Sequence, residues 1–292
     1  IKAMEQAAKP ELMRKNLGLK MIRRANSIGH HYFIANLTSK DIASSVALAV
    51  NEKHGIWYNP MTGEYHEATI GDKGIQLNLK SGESRILITS NKPVNEWKLG
   101  PKVKVGGKEA IAAADSKTID LTENAWKLSF IEDAPKVDET FNLKGVKSWE
   151  GLSDKAKVMM GTGVYETTIK LSKDDAKKQW AIDLGDVRES ARVYINNKYV
   201  GCAWAVPYIL NCKDALNKGK NTLRIKVTNL PANRIAELDR QGVKWRKMKE
   251  INVVDINYKK TTYENWTPVP SGLNSTCLLY TSPSTRDRTR SR

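Results

Sequence analysis

RVYINNKYVG, from Arg192 to Gly201, reads as two short strands joined by a two-residue turn at Asn196-Asn197. Asparagine tolerates the positive φ that a type I′ turn demands, so the pair places a hairpin here. The flanking sequence continues the pattern. NTLRIKVTN (Asn221–Asn229) turns Leu223, Ile225 and Val227 one way and Arg224, Lys226 and Thr228 the other. YETTIKL alternates Tyr165, Thr167, Ile169 and Leu171 against Glu166, Thr168 and Lys170. WKLSF sets Trp126, Leu128 and Phe130 against Lys127 and Ser129, and WAIDLG (Trp180–Gly185) is a further apolar run. Alternation with period two is what a half-buried strand requires. INVVDINY (Ile251–Tyr258) predicts one more strand. Strands at spacings of roughly ten residues with polar turns predict an all-β, jelly-roll β-sandwich over residues 118–276.

Residues 21–90 predict a small antiparallel β domain of their own. HYFIANL (His31–Leu37) and SSVALAV (Ser44–Val50) are β-rich, and NPMTGE (Asn59–Glu64) is a Pro/Gly turn. IQLNLK alternates Ile75, Leu77 and Leu79 with Gln76, Asn78 and Lys80, and KSGES then leads into RILITS (Arg85–Ser90). Residues 91–117, with Pro93, Pro101, Gly100, Gly106 and Gly107, predict a linker with a lead-in strand. Residues 1–20 contain two helix-like pieces broken at Pro10 and read as the remnant of an upstream domain. The stretch Cys277–Arg292 is rich in Ser, Thr and Arg without periodicity, and resembles a translated sequencing adapter standing outside the fold. Removing it takes the formal charge from +16 to +13.

Composition bounds the function. Eight Trp and a 27% charged fraction exclude a disordered chain. The longest apolar stretch, around Val46–Val50, is far short of the roughly 20 residues of a membrane helix, so no membrane partner is expected. Three Cys make no disulfide scaffold, although Cys202 and Cys212 could bridge if close enough. Four His without ligand spacing and no Gly-rich phosphate loop point to no metal and no cofactor. The sandwich loops leave room for a structural calcium but lack a DxDxDG-type signature. The basic excess is scattered over alternating strands, with no zinc finger, RNP motif or basic helix, so nucleic acid is not expected as a partner. Solvated strand faces account for it, with an acidic polysaccharide as the alternative.

A resemblance adds to this reading. GTGVYETTI (Gly161–Ile169), DLGDVRESARVYINNKYVG (Asp183–Gly201), Pro207–Ile209, LNKGKNTLRIKVTN (Leu216–Asn229) and SGL (Ser271–Leu273) follow one another as in the galactose-binding-like sandwich of family 2 glycoside hydrolases. TNLPANRIAELDRQGVKW (Thr228–Trp245), RRANSIGHHYFIANL (Arg23–Leu37) and NPMTGE together resemble the C-terminal part of family 106 glycoside hydrolases, the α-L-rhamnosidases. Departures are Asn197, where Gly is usual, and MMGTG (Met159–Gly163), where an aromatic or Ser is common. The resemblance implies an accessory region of a secreted or periplasmic enzyme acting on plant polysaccharides or glycosides. Its partners would be carbohydrate and an upstream catalytic domain of the same chain. The alternatives are a stand-alone carbohydrate-binding module and a piece of a family 2 β-galactosidase-like enzyme.

Glycoside hydrolysis commonly needs two carboxylates flanking the bond. Glu166, Asp183, Asp186, Glu189, Glu237, Asp239 and Asp255 are present, but none sits in a catalytic motif, so no catalytic residue is expected. The segment Asn229–Lys249 is the better candidate for sugar contact, because long loops on compact domains are disproportionately functional. It holds Asn233, Arg234, Asp239, Arg240 and Trp245, whose planar polar groups suit hydroxyls and whose indole suits a sugar face. An Arg234–Asp239 or Arg240–Asp239 pair that merely pins the loop is the competing reading. Trp204, just past the hairpin, is the other candidate platform; Trp126, Trp149 and Trp180 read as core.

Overall fold

The computed structural model describes residues 9–61, 63–97, 105–106, 117–247, 257 and 261–281. The chain divides into two compact units, 1–113 with 285–292, and 114–284.

The first unit packs two sheets. One has the order β1-β2-β8-β4-β5-β9, from β1 (Lys20–Ala25), β2 (Gly29–Ala35), β4 (His54–Tyr58), β5 (Tyr65–Ala68), β8 (Ser84–Ser90) and β9 (Val105–Gly106). The other runs β3-β7-β6, from β3 (Ile42–Val46), β6 (Ile70–Gly71) and β7 (Gly74–Leu79). Ile75, Leu77 and Leu79 point inward as their alternation predicts, against Tyr32, Ile34, Trp57 and Leu87. The unit reaches further toward the N-terminus than the sequence suggests. Helix α1 (Leu12–Leu17) and the residue that follows its Gly18 cap bury Met13 and Leu19 in this same core. Just before it, Glu11 accepts hydrogen bonds from Arg23 Nη1 (2.7 Å), Tyr32 OH (3.1 Å) and the Ala49 amide (3.0 Å). The expectation of a foreign remnant over residues 1–20 therefore fails for 11–19. A lone short helix carries no periodic signal of which core it joins.

The second unit is a sandwich of two antiparallel sheets. The larger has the order β12-β11-β13-β19-β16-β17. Its strands are β11 (Ala125–Ala134), β12 (Phe141–Lys144), β13 (Met160–Leu171), β16 (Ser190–Ile195), β17 (Lys198–Ala203) and β19 (Gly219–Thr228). The smaller runs β10-β21-β14-β18, from β10 (Thr118–Asp120), β14 (Trp180–Asp183), β18 (Ile209–Asn211) and β21 (Leu278–Thr281). A short pair, β15 (Val187–Arg188) with β20 (Gly272–Leu273), lies beside them, and helix α2 (Asp154–Val158) leads into β13. Leu128, Tyr165, Val193, Leu223 and Ile225 from one sheet meet Trp180, Ile182 and Leu279 from the other. Trp126, Trp149 and Trp180 are buried as expected, and each indole N–H finds an acceptor: Leu121 O, Tyr165 OH and Asp175 O. Buried indoles need such partners. The hairpin turn has Asn196 and Asn197 at φ 52° and 64°, so Asn197 serves where Gly is usual.

Two further expectations change. Residues 277–281 are not outside the fold: β21 lies between β10 and β14, with Cys277 and Leu279 buried. The excursion after β19 is no plain loop but carries helix α3 (Ala232–Arg240). The strand expected at Ile251–Tyr258, and Asp255 with it, lies outside the described residues apart from Asn257. The linker expected over 91–117 is described only at 91–97, 105–106 and 117; there Trp97 is buried and donates to Lys92 O.

Candidate functional site

One end of the larger sheet gathers the loops of interest. The registers Thr162↔Thr228, Ser190↔Thr228 and Ala191↔Ala203 bring the start of β13, the end of β19, the start of β16 and the end of β17 together. Asn229 closes this end, accepting from the Gly161 amide and donating to Met159 O and Ser271 Oγ. Sequence reasoning gave Asn229 no role; its place directly after a strand, where an amide can bridge neighbouring backbones, was the available signal.

Large apolar side chains stand in solvent on the segments leaving this end: Met160, Trp204, Val206 and Leu230. Trp204 is 63% exposed, which fits a platform or a docking residue and not a core Trp. Nearby in sequence, Asp186 grips Arg188 in a two-point ion pair, Nε–Oδ1 2.6 Å and Nη2–Oδ2 3.1 Å. That pair raises the Arg188 pKa, while burial and then the charge of Glu189 raise that of Tyr208.

The α3 excursion is held by its own polar groups. Asn233 is buried and clips Val269, donating to its carbonyl (2.9 Å) and accepting from its amide (2.8 Å). Asp239 accepts from Trp245 Nε1 (2.7 Å) and the Tyr263 amide (2.8 Å). Arg240 donates to the carbonyls of Glu264 and Trp266 and pairs with Glu237 at 2.8 Å, an interaction that lowers the Glu237 pKa. The pinning pair is thus Arg240–Glu237 and not the Arg–Asp pair expected. Trp245, Tyr263 and Trp266 stack in series at 6.3 and 4.4 Å, and the Arg246 guanidinium lies over the first two rings. Asn233, Asp239, Arg240 and Trp245 therefore do come together, but their polar groups are engaged in fastening 261–269 to α3. Arg234 is half-buried and makes no hydrogen bond among the described residues. Trp204 belongs to the open end described above, and Trp266 is the exposed ring of the α3 group.

Among the candidate carboxylates, Asp186 and Glu189 both lie near enough to Arg188 and Tyr208 to raise their pKa values. Asp186, Glu237 and Asp239 are engaged as above, Asp183 Oδ1 accepts from the Gly185 amide, and Glu166 points out of the opposite face of the sheet. The three cysteines are free thiols, so Cys202 and Cys212 are not bridged. No group of three or more His, Cys, Asp and Glu is placed to hold a metal among the described residues.

Residues 153–271 match the family model of the glycosyl hydrolase 2 galactose-binding-like domain. A curated protein of Formosa agariphila that carries a β-glucuronidase name is 27% identical over 212 residues, covering 66% of this chain. The rhamnosidase from Novosphingobium sp. PP1Y shares the fold at a TM-score of 0.66 and 20% identity over 96% of this chain. The chain spans only 18% of the length of the curated relative and 26% of that rhamnosidase. The second unit accordingly contains a galactose-binding-like domain of the glycoside hydrolase type.

Proposed function

We propose that this chain is an accessory, non-catalytic region of an α-L-rhamnosidase of glycoside hydrolase family 106, whose catalytic carboxylates lie upstream of it. The carrying observation is the exposed apolar set Met160, Trp204, Val206 and Leu230 on segments that leave one end of the sandwich. Exposed apolar side chains gathered at one end of a domain are what a contact site requires. In this reading it meets the catalytic domain, and Trp204 reaches the edge of the sugar site. The wide span of the rhamnosidase likeness supports that family, and export to the periplasm or beyond goes with the same reading. A β-glucuronidase is the second reading, favoured by the curated relative; the catalytic domain of a family 2 enzyme would instead follow this chain.

The test joins the chain to its flanking reading frame and assays chromogenic α-L-rhamnoside and β-D-glucuronide. The joined enzyme should release rhamnose, the chain alone neither sugar. Trp204→Ala in the joined enzyme should cost about 1–3 kcal/mol of substrate binding, read as a raised KM at unchanged folding. Glucuronate release would shift the assignment to the second reading. Turnover by the chain alone would end the accessory role.

A further inference from the structure

We propose that the outward face of the larger sheet of the second unit binds an acidic polysaccharide through its uronate carboxylates. This surface is separate from the loop end considered above, and the inference stands without the rhamnosidase assignment.

The registers Lys127↔Asn142, Lys127↔Glu166, Glu166↔Arg224, Tyr194↔Arg224 and Tyr194↔Tyr199 form one row across all the strands of this sheet. At a strand spacing of about 4.8 Å the row spans about 24 Å, the reach of an oligosaccharide and not of a single sugar. A second row adds Lys226 and Arg192, which are cross-strand neighbours. Lys127, Lys170, Lys220, Arg192, Arg224 and Lys226 make no ion pair within 4 Å among the described residues, and Glu166, between Lys127 and Arg224, pairs with neither. The face therefore carries an uncompensated positive field, which concentrates polyanions.

Two features distinguish this face from scattered solvated lysines. Arg224 and Lys226 both lie over the Tyr194 ring, at 5.2 and 5.7 Å, so one aromatic ring engages two cations. Arg224 Nε is buried without a hydrogen-bond acceptor, and no carboxylate comes within 4 Å of its guanidinium among the described residues. Beside them a groove of about 580 Å³ is lined by Asn124, Lys127, Asn142, Glu166, Thr168 and Thr222, within the usual range for ligand clefts. Its amides and hydroxyls suit sugar hydroxyls, while the flanking guanidinium and ammonium groups suit carboxylates. Nucleic acid fits less well. The Tyr194 face is already covered by cations, which leaves Tyr199 as the exposed ring of the row for stacking a base.

Affinity electrophoresis of the whole chain tests this, with polygalacturonate, neutral galactan and duplex DNA in the gel. Polygalacturonate should retard the chain, salt should release it, and galactan should not retard it. The double substitution Lys127→Gln with Lys226→Gln should weaken retention about tenfold, and Arg192→Gln, at an exposed position, about threefold. Lys53→Gln with Lys73→Gln removes the same charge from exposed positions of the first unit and should change retention by less than about twofold. Equal weakening by that control, equal retardation by galactan, stronger retardation by DNA, or none by polygalacturonate would each overturn the proposal.

Discussion

Cys212 and Cys277 are sealed in the core of the second unit, while Cys202 sits opposite Arg192 on the outward side of β17. Burial pushes both core thiols up to about 12. Because the thiolate is the reactive form, a thiol-reactive dye at pH 8 should modify Cys202 in the native chain and leave the other two until unfolding. A second thiol reacting at the denatured rate would contradict the buried placement. The sign for stability follows: a thiol that holds its proton more tightly when folded stabilises below the ordinary thiol range of about 8.5, and that contribution is lost as pH climbs toward 12. Asp175 behaves in the opposite sense. Hydrogen bonds from Lys117 and then Ser172 hold its carboxyl well below the usual range, so its contribution is present at neutral pH and fades on acidification. Polar side chains with a structural task are hard to tell from ligand contacts in a sequence. Asn233 and Asp239 have the chemistry to hold a sugar, and only the folded chain shows Val269, Trp245 and Tyr263 already bound to them.

At the scale of elements, strands with clean alternation were legible. The expected runs around Trp126, Tyr165, Trp180, the Asn196-Asn197 hairpin and Leu223 all became strands, because one buried face fixes a period-two pattern. Short or edge elements were not. β12, β18 and β20 are at most four residues long, and β20 depends on a glycine rather than on any pattern. Gly272 adopts φ 90°, and a Cβ there would lie 2.3 Å from Trp149 Nε1 and 2.4 Å from Tyr165 OH. Those atoms belong to a buried hydrogen bond, and Tyr165 OH also accepts from the Leu273 amide. Gly272→Ala should therefore displace two core rings as well as strain the backbone, a loss of about 3 kcal/mol or more. Urea unfolding followed by tryptophan emission measures it, and a midpoint shift worth under about 1 kcal/mol would show that the rings can yield.

For the whole molecule, the least expected feature is the last described strand. Nothing in CLLYT distinguishes a core strand from the unpatterned Ser/Thr/Arg tail that follows it. In the structure β21 pairs on both sides, Leu278 opposite Asp120 on β10 and opposite Asp183 on β14. Thr281 and Lys117 exchange hydrogen bonds at its end, and Leu279 is fully buried. Removing an inner strand leaves two open edges and exposes the core it covered. A chain ending at Thr281 should keep the calorimetric transition of the second unit. One ending at Thr276 should lose more than about 3 kcal/mol, since burial of Leu279 alone contributes about 1.5–3 kcal/mol and the ladder adds to it. For a unit of this size that loss lowers the transition by at least about 6 °C. If the two truncations melt together, β21 contributes nothing to the sandwich, and β10 and β14 need no strand between them.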